Sequence, residues 1–432
     1  MSDHLERALA AVDGERVAEL CAGLVDIASP TGEEAPLATW IAAELGRCGI
    51  AARVQPIDER QANAIAHVGR PGDGPDLLLY APIDTLTVGD PAEDLPWLAP
   101  TMPDHALPSA QRIGGRVVGL GAHNPKGHAA CVMAALEALA VADVPLRGRV
   151  LAGFGAGGMP TNALRAGGRR NVGHGVGASF MLEQGCWADA AVIAKSGWAV
   201  SWEEVGLAWI DVIVHGVHTY VGARHRLPYR NPIVDAGRVA AHLEGWFPAY
   251  SRRHAGGLVE PQGVVAAAEA GWWRMAAVVP AAARLRVDLR LVPGQSPLDA
   301  LRELDSSLDE LRDGDDVIEV ETQLAVAIPG SRTPPEHWIC RAAIEAWEAV
   351  AGRQHEPITG TSGATDANIL RNRGLPTVRV GLPKASDPAG AELDFAAGMN
   401  TVDVDALELL TRHLVTVAVE VGTRTRAELV AS

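Results

Sequence analysis

Lysine is scarce in this 432-residue chain, appearing only as Lys126, Lys195 and Lys384 among 37 Lys and Arg residues. A placed ammonium group can polarise a carbonyl or hold a carboxylate, and desolvation can ready it for proton transfer or Schiff-base chemistry. Lys195 directly follows the apolar run AAVIA, and Lys126 lies in AHNPKGH. That second motif also carries His123 and His128, whose imidazoles titrate near neutral pH and suit general acid or base work, or simply face solvent. Asp84, in LLLYAPIDTL, is either a general base or the cap of the turn at Thr85. The five cysteines are scattered, odd in number and without a CxxC pair, which argues against a disulfide framework or a thiolate zinc site.

These residues need a scaffold, and the hydrophobic pattern supplies one. Val17, Leu20, Cys21, Leu24 and Val25 recur at helical spacing, Ser29-Pro30 breaks that helix, and Thr31 to Glu34 reads as a capping box opening the next. Continuous apolar runs at 77–80, 150–154, 190–194 and 377–380 suit strands of a sheet covered on both faces. An Ala-rich helix is predicted over 126–142, and the proline-rich stretch 91–108 is predicted as loop. From 205 the rhythm changes to strand, helix, strand, strand, helix, strand. The strands are placed at 205–214, 273–279, 283–292 and 317–322, and Asn231-Pro232 starts a helix carrying Ile233, Ala236, Val239, Ala240 and Leu243 on one face. The expected fold class is α/β, a layered catalytic-type domain formed by 1–202 and 324–432, with a ferredoxin-like module inserted at 203–323.

The formal net charge of -16 would repel phosphate backbones and anionic lipid surfaces, so nucleic-acid and membrane roles are not expected. No run approaches the roughly 18 apolar residues of a membrane span, and the amphipathic N-terminus lacks a signal core. A cytoplasmic location is the expectation.

Five segments in this order, LVDIASPTGEE, DLLLYAPIDTL, GLGAHNPKGHAACVMAAL, VVPAAARLRVDLRLVPG and GTSGATDANIL, resemble the di-zinc peptidase family of aminoacylase, acetylornithine deacetylase, succinyl-diaminopimelate desuccinylase and carboxypeptidase G. The resemblance covers nearly the whole chain and implies the mixed, mostly parallel sheet and an inserted dimerisation domain. It implies a dinuclear zinc centre too, yet the family's ligand positions fall on other residue types. The first ligand histidine falls on Pro82, with its orienting aspartate kept as Asp84. The bridging aspartate falls on Asn124, and the paired glutamates fall around Gly157, Gly158 and Met159. The next carboxylate falls on Lys195, and the last histidine on Ala396 or Ala397. Zinc needs three or four His, Cys or carboxylate ligands, so neither metal nor cofactor is expected, apart from a rebuilt site on Asp84, His123 and His128.

By the same resemblance, Arg290 in VDLR matches an arginine that reaches the substrate carboxylate, or it pairs with Asp288. Tyr220 stands where the family steadies the reacting carbonyl with histidine, and Ala277 where it has asparagine. Ser362 and Thr365 donate to a ligand or cap the next helix. Together with Lys126 and Asn124 these are the expected substrate contacts. Trp198, Trp202, Trp272 and Trp273 line a pocket or fill the core. Lys195, Asp84, His123 and His128 are the expected catalytic group, unless Lys195 simply pairs with Asp84 to fill an emptied cavity. Three functions stay open: an enzyme working without the dinuclear centre on a small carboxylated amide or acid, by hydrolysis or lyase or isomerase chemistry; a hydrolase with a relocated metal; or a non-catalytic binder of a small acidic ligand. A homodimer is expected through the insert.

Overall fold

The apolar runs become neighbouring strands of one sheet. The computed structural model describes residues 3–431 except 96, 163–168, 170, 196, 314 and 315. The chain divides into two units, 1–202 with 333–357 and 365–432, and 203–332 with 358–364.

In the first unit a six-stranded sheet has the order Ala51–Pro56, Ala62–Gly69, Arg149–Gly155, Leu77–Pro82, Ala190–Ala194, Thr377–Val380. The last four run parallel and the first two pair antiparallel. Leu77–Pro82 is buried at every position, as expected for a central parallel strand with both faces covered. Its side chains alternate between two cores. Leu77, Leu79 and Ala81 face the helices Gly14–Val25, Lys126–Val141 and Val404–Gly422, whereas Leu78 and Tyr80 face Val176–Glu183 and Ala367–Asn372. Truncating Leu79 to alanine in such a core costs about 2–5 kcal/mol. The Lys126–Val141 helix is buried on nearly every side, and its many small residues let neighbouring helices approach.

The second unit has the strands Gly206–His215, Gly263–Ala270, Ala282–Leu291 and Val320–Ile328, with the helices Pro232–His254 and Pro297–Ser307 on a core of its own. The order is 263–270, 282–291, 206–215, 320–328, antiparallel throughout. The Asn231 side chain accepts from Ile233 N at 3.0 Å and caps the long helix. Ala236, Val239 and Leu243 are buried, whereas Ile233 is exposed.

Three expectations need correction. The second strand of the insert is Gly263–Ala270, and Trp272 and Trp273 lie in the turn beyond it, with Trp273 fully exposed at 101%. The insert ends later than 323, because the last strand runs to Ile328 and Ser331–Arg332 then pairs with Glu203–Glu204. The 91–108 stretch holds two short helical turns, Pro91–Asp94 and Asp104–Ala106. Trp198 and Trp202 pack against the large core of the first unit. Among the described residues no helix is long and apolar enough to cross a membrane.

Candidate functional site

Parallel strands deliver their following loops to one edge of a sheet, where ligands of open α/β folds bind. Four adjacent strands end there, at Pro82, Gly155, Ala194 and Val380. The residues that follow are Asp84, the turn Gly157-Gly158-Met159, Lys195 and the segment Gly381-Leu382-Pro383.

Asp84 is fully buried and accepts three hydrogen bonds. Thr31 Oγ1 donates to Oδ2 at 2.7 Å, Gly158 N to Oδ1 at 2.7 Å and Met159 N to Oδ2 at 3.0 Å. Burial still raises its pKa, against the lowering effect of those bonds and of the Lys195 charge. Lys195 is itself buried, at 6% exposure, and its charge also acts on His123 and His128.

The histidines are not solvated loop groups, being 3% and 0% exposed. His123 Nε2 lies 3.1 Å from Pro383 O, so that nitrogen carries the proton and the lone pair falls on Nδ1. His128 Nε2 accepts from Leu382 N at 3.3 Å. Burial lowers both pKa values, with Lys195 adding to the effect, so both rings are neutral at pH 7. The rings meet edge to face at 5.4 Å.

Two further carboxyls belong to this neighbourhood and were missed in the sequence. Glu34 Oε1 accepts from Gly32 N at 2.8 Å and Gly157 N at 2.9 Å, and Oε2 is buried with no partner among the described residues. Burial first, and then the charge of Asp84, push Glu34 up to about 8. Asp366 accepts from the Tyr80 hydroxyl at 2.6 Å. The capping box is therefore not formed: Thr31 serves Asp84 and Glu34 serves the turn at Gly157. Two signals were present: Asp366 lies within the segment GTSGATDANIL, and a phenol such as Tyr80 inside a buried apolar run needs a partner.

Some of the positions that the resemblance assigned to metal ligands lie near one another. A Cβ placed on Gly158 would lie 2.5 Å from Pro82 Cβ and 2.8 Å from Asp366 Oδ2. Asn124 and Ala396 line one groove. The side chains, however, are the wrong donors for zinc. Asn124 turns its Nδ2 toward Met399 Sδ at 3.2 Å, a contact that a carboxylate could not donate. Gly157 and Gly158 leave no room for a side chain, because a Cβ on Gly157 would meet Val172 O at 2.2 Å. Among the described residues no three His, Cys, Asp or Glu side chains gather to hold a metal ion. The residues present do not fit the family's ion pair, and the arrangement on Asp84, His123 and His128 is not formed.

The remaining expected contacts have other partners. Lys126 is fully buried, donates to Ile27 O at 2.7 Å beyond the end of the Gly14–Val25 helix, and is lowered to about 7 by burial. Its ammonium is held there, away from solvent. In the second unit Arg290 forks onto both oxygens of Asp288, at 2.8 and 3.0 Å, Ser362 donates to Glu260 O, and Tyr220 is 56% exposed. In the first unit Thr365 Oγ1 accepts from Ala367 N at 3.2 Å, one residue before Asp366, the N-cap of the following helix.

No family model matches the chain. Solved structures do. The aminopeptidase PepT of Bacillus cereus superposes with TM-score 0.66 at 17% identity, over 95% of this chain and 99% of that one. An M20 family metallo-carboxypeptidase of Sulfolobus solfataricus gives 0.66 at 15%, over 98% and 100%. An amidase of the hydantoinase/carbamoylase family from Burkholderia multivorans gives 0.59 at 14%, over 96% and 99%. At these identities the likeness speaks for architecture, and the chain has the fold of the M20 metallopeptidases and the amidohydrolases built like them.

Proposed function

We propose that this protein is an enzyme of the amide-hydrolysing kind that works without the dinuclear metal centre of its structural neighbours, on a small carboxylated amide. The observation that supports it is Lys195, a buried ammonium at a strand end whose charge reaches Asp84, His123 and His128. In this reading Lys195 supplies the positive centre that polarises the substrate carbonyl. The neutral His123 takes a proton from water through Nδ1 as the water oxygen bonds to the carbonyl carbon. It returns that proton to the departing nitrogen as the C–N bond breaks. Asp84, held by three donors, offsets the lysine charge rather than acting as the base. Lyase or isomerase chemistry at an acidic carbon would use the same groups.

Lys195→Ala tests the reading. It should abolish turnover across a panel of small N-acyl amino acids, a loss of at least about 100-fold, with the circular dichroism spectrum unchanged. Full activity in that variant removes the mechanism. Stoichiometric zinc after gentle purification, with activity that follows it, would select the relocated-metal reading.

A second reading, a binding protein without turnover, draws support from the engagement of Asp84 with Thr31, Gly158 and Met159. Failure of the native protein to turn over any member of the panel it binds would select it. In either reading the chain forms a homodimer through the second unit, whose edge strand Gly263–Ala270 is mostly exposed.

A further inference from the structure

The second unit carries an open cleft of ≈ 330 Å³, at the lower end of the range for small-molecule sites. It lies between the C-terminal half of the helix Pro232–His254 and the segment that leads into the strand Gly263–Ala270. Phe247 and Pro248 form its apolar wall, with Phe247 buried. A Cβ placed on Gly263 would meet the Phe247 ring at 2.2 Å, so glycine lets the start of the strand lie flush on that ring.

Three charged side chains line the cleft, Glu244, Arg252 and Glu260, and all three are exposed. Glu244 is fixed in place, since its Oε1 accepts from Val265 N at 2.9 Å. Arg253 and His254 both engage Glu303, whereas Arg252 beside them forms no ion pair among the described residues. Neither Glu244 nor Glu260 forms one either. A guanidinium fork and two carboxylates therefore border one space without neutralising each other, in a chain where acidic partners outnumber basic ones by 53 to 37.

We infer that this cleft binds a zwitterion, an α-amino acid with an apolar side chain. Its carboxylate takes the fork of Arg252, its ammonium goes to Glu244 and Glu260, and its side chain lies on Phe247 and Pro248. A ligand of single charge satisfies only one side of the cleft. An acid meets two carboxylates of its own sign, and an amine leaves Arg252 without a partner. Exposed charge pairs contribute little apiece, so both ends of the zwitterion are needed for binding. The cleft lies wholly within the second unit and does not depend on the amide chemistry proposed for the first.

L-Leucine is the ligand to use, followed by ligand-observed NMR on the full chain at low salt. It should bind with Kd of about 1–10 mM, in keeping with its few heavy atoms. Isoamylamine, which lacks the carboxylate, and isocaproate, which lacks the ammonium, should each bind at least about fivefold more weakly. Arg252→Gln and Glu260→Gln change only exposed side chains and should each weaken leucine by the same factor, whereas Lys195→Ala should leave its binding unchanged. No binding, equal binding by either analogue, or unchanged affinity in either cleft variant would overturn the assignment. Loss of leucine binding in Lys195→Ala would place the amino acid in the first unit and overturn it as well. Retained turnover in Lys195→Ala counts against the proposed catalysis alone and leaves the cleft standing.

Discussion

Glu34 keeps its proton to an unusually high pH because burial and the neighbouring Asp84 both oppose its ionisation, which moves it from 4.5 to about 8. Between those values the folded chain binds more protons than the unfolded one, so this residue makes stability fall as pH rises through the window and level off above it. Glu34→Gln imitates the protonated acid. It should flatten the slope and make the protein more stable than the native chain at pH 8 by about 1–3 kcal/mol. Urea unfolding at pH 5, 6.5 and 8 reads this directly, and parallel slopes in both proteins would refute it. Nothing in the residue pattern marked Glu34 for this role. Its neighbours spell a capping box, and only the fold reveals that the Thr31 hydroxyl crosses to Asp84 instead. Asp84 and Lys195 were singled out because a motif and a rare residue type marked them, and both are buried at the strand ends. Asp366 stands inside the segment GTSGATDANIL, where Ser362 and Thr365 were singled out and the aspartate was passed over.

Strands were the most legible elements where burial alone determines them, as at Leu77–Pro82, whose six positions are all apolar or proline, with one phenol, and all buried. The second strand of the insert was misread because GVVAAAEA carries alanines that suit a helix, while the aromatic pair Trp272-Trp273 suits a strand. Pairing with Ala282–Leu291 decides the outcome, and that is a tertiary effect. The turn after Arg149–Gly155 holds the next test. Gly157 has φ +61 and a Cβ there would meet a backbone oxygen at 2.2 Å, whereas Gly185, at φ +85, has nothing within 4 Å. Gly157→Ala should therefore cost about 2–4 kcal/mol, and Gly185→Ala only about 1 kcal/mol from its backbone conformation. Thermal unfolding of the two variants side by side separates crowding from backbone strain, and equal losses would mean that the turn is not tightly packed. The same crowding explains why a carboxylate cannot be set on this turn by one substitution.

At the scale of the molecule, each unit has its own core, and among the described residues none is shared between the cluster around Val212 and Val287 and those of the first unit. A fragment of residues 203–332 should therefore melt cooperatively on its own and elute as a dimer. A spectrum without regular structure would show that it needs the rest of the chain, and a monomer at every concentration would count against pairing through Gly263–Ala270. The alternating order of strands and helices suggested a two-part division, but the return of 358–364 to the second unit was hidden, since it rests on tertiary contacts, the bridge between Val259 and Thr361 and the hydrogen bonds of Ser362 with Glu260 and Arg290. The stem of the insert has a consequence of its own. Glu203–Glu204 pairs with Ser331–Arg332, and just outside it Thr333 N donates to Trp202 O at 2.9 Å. The entry and exit of the insert are therefore zipped side by side, as the two ends of a removable cassette would be. Such a stem lets a whole module be grafted, exchanged or deleted between generations with only a short splice to heal, so the two halves of this protein are free to have separate histories.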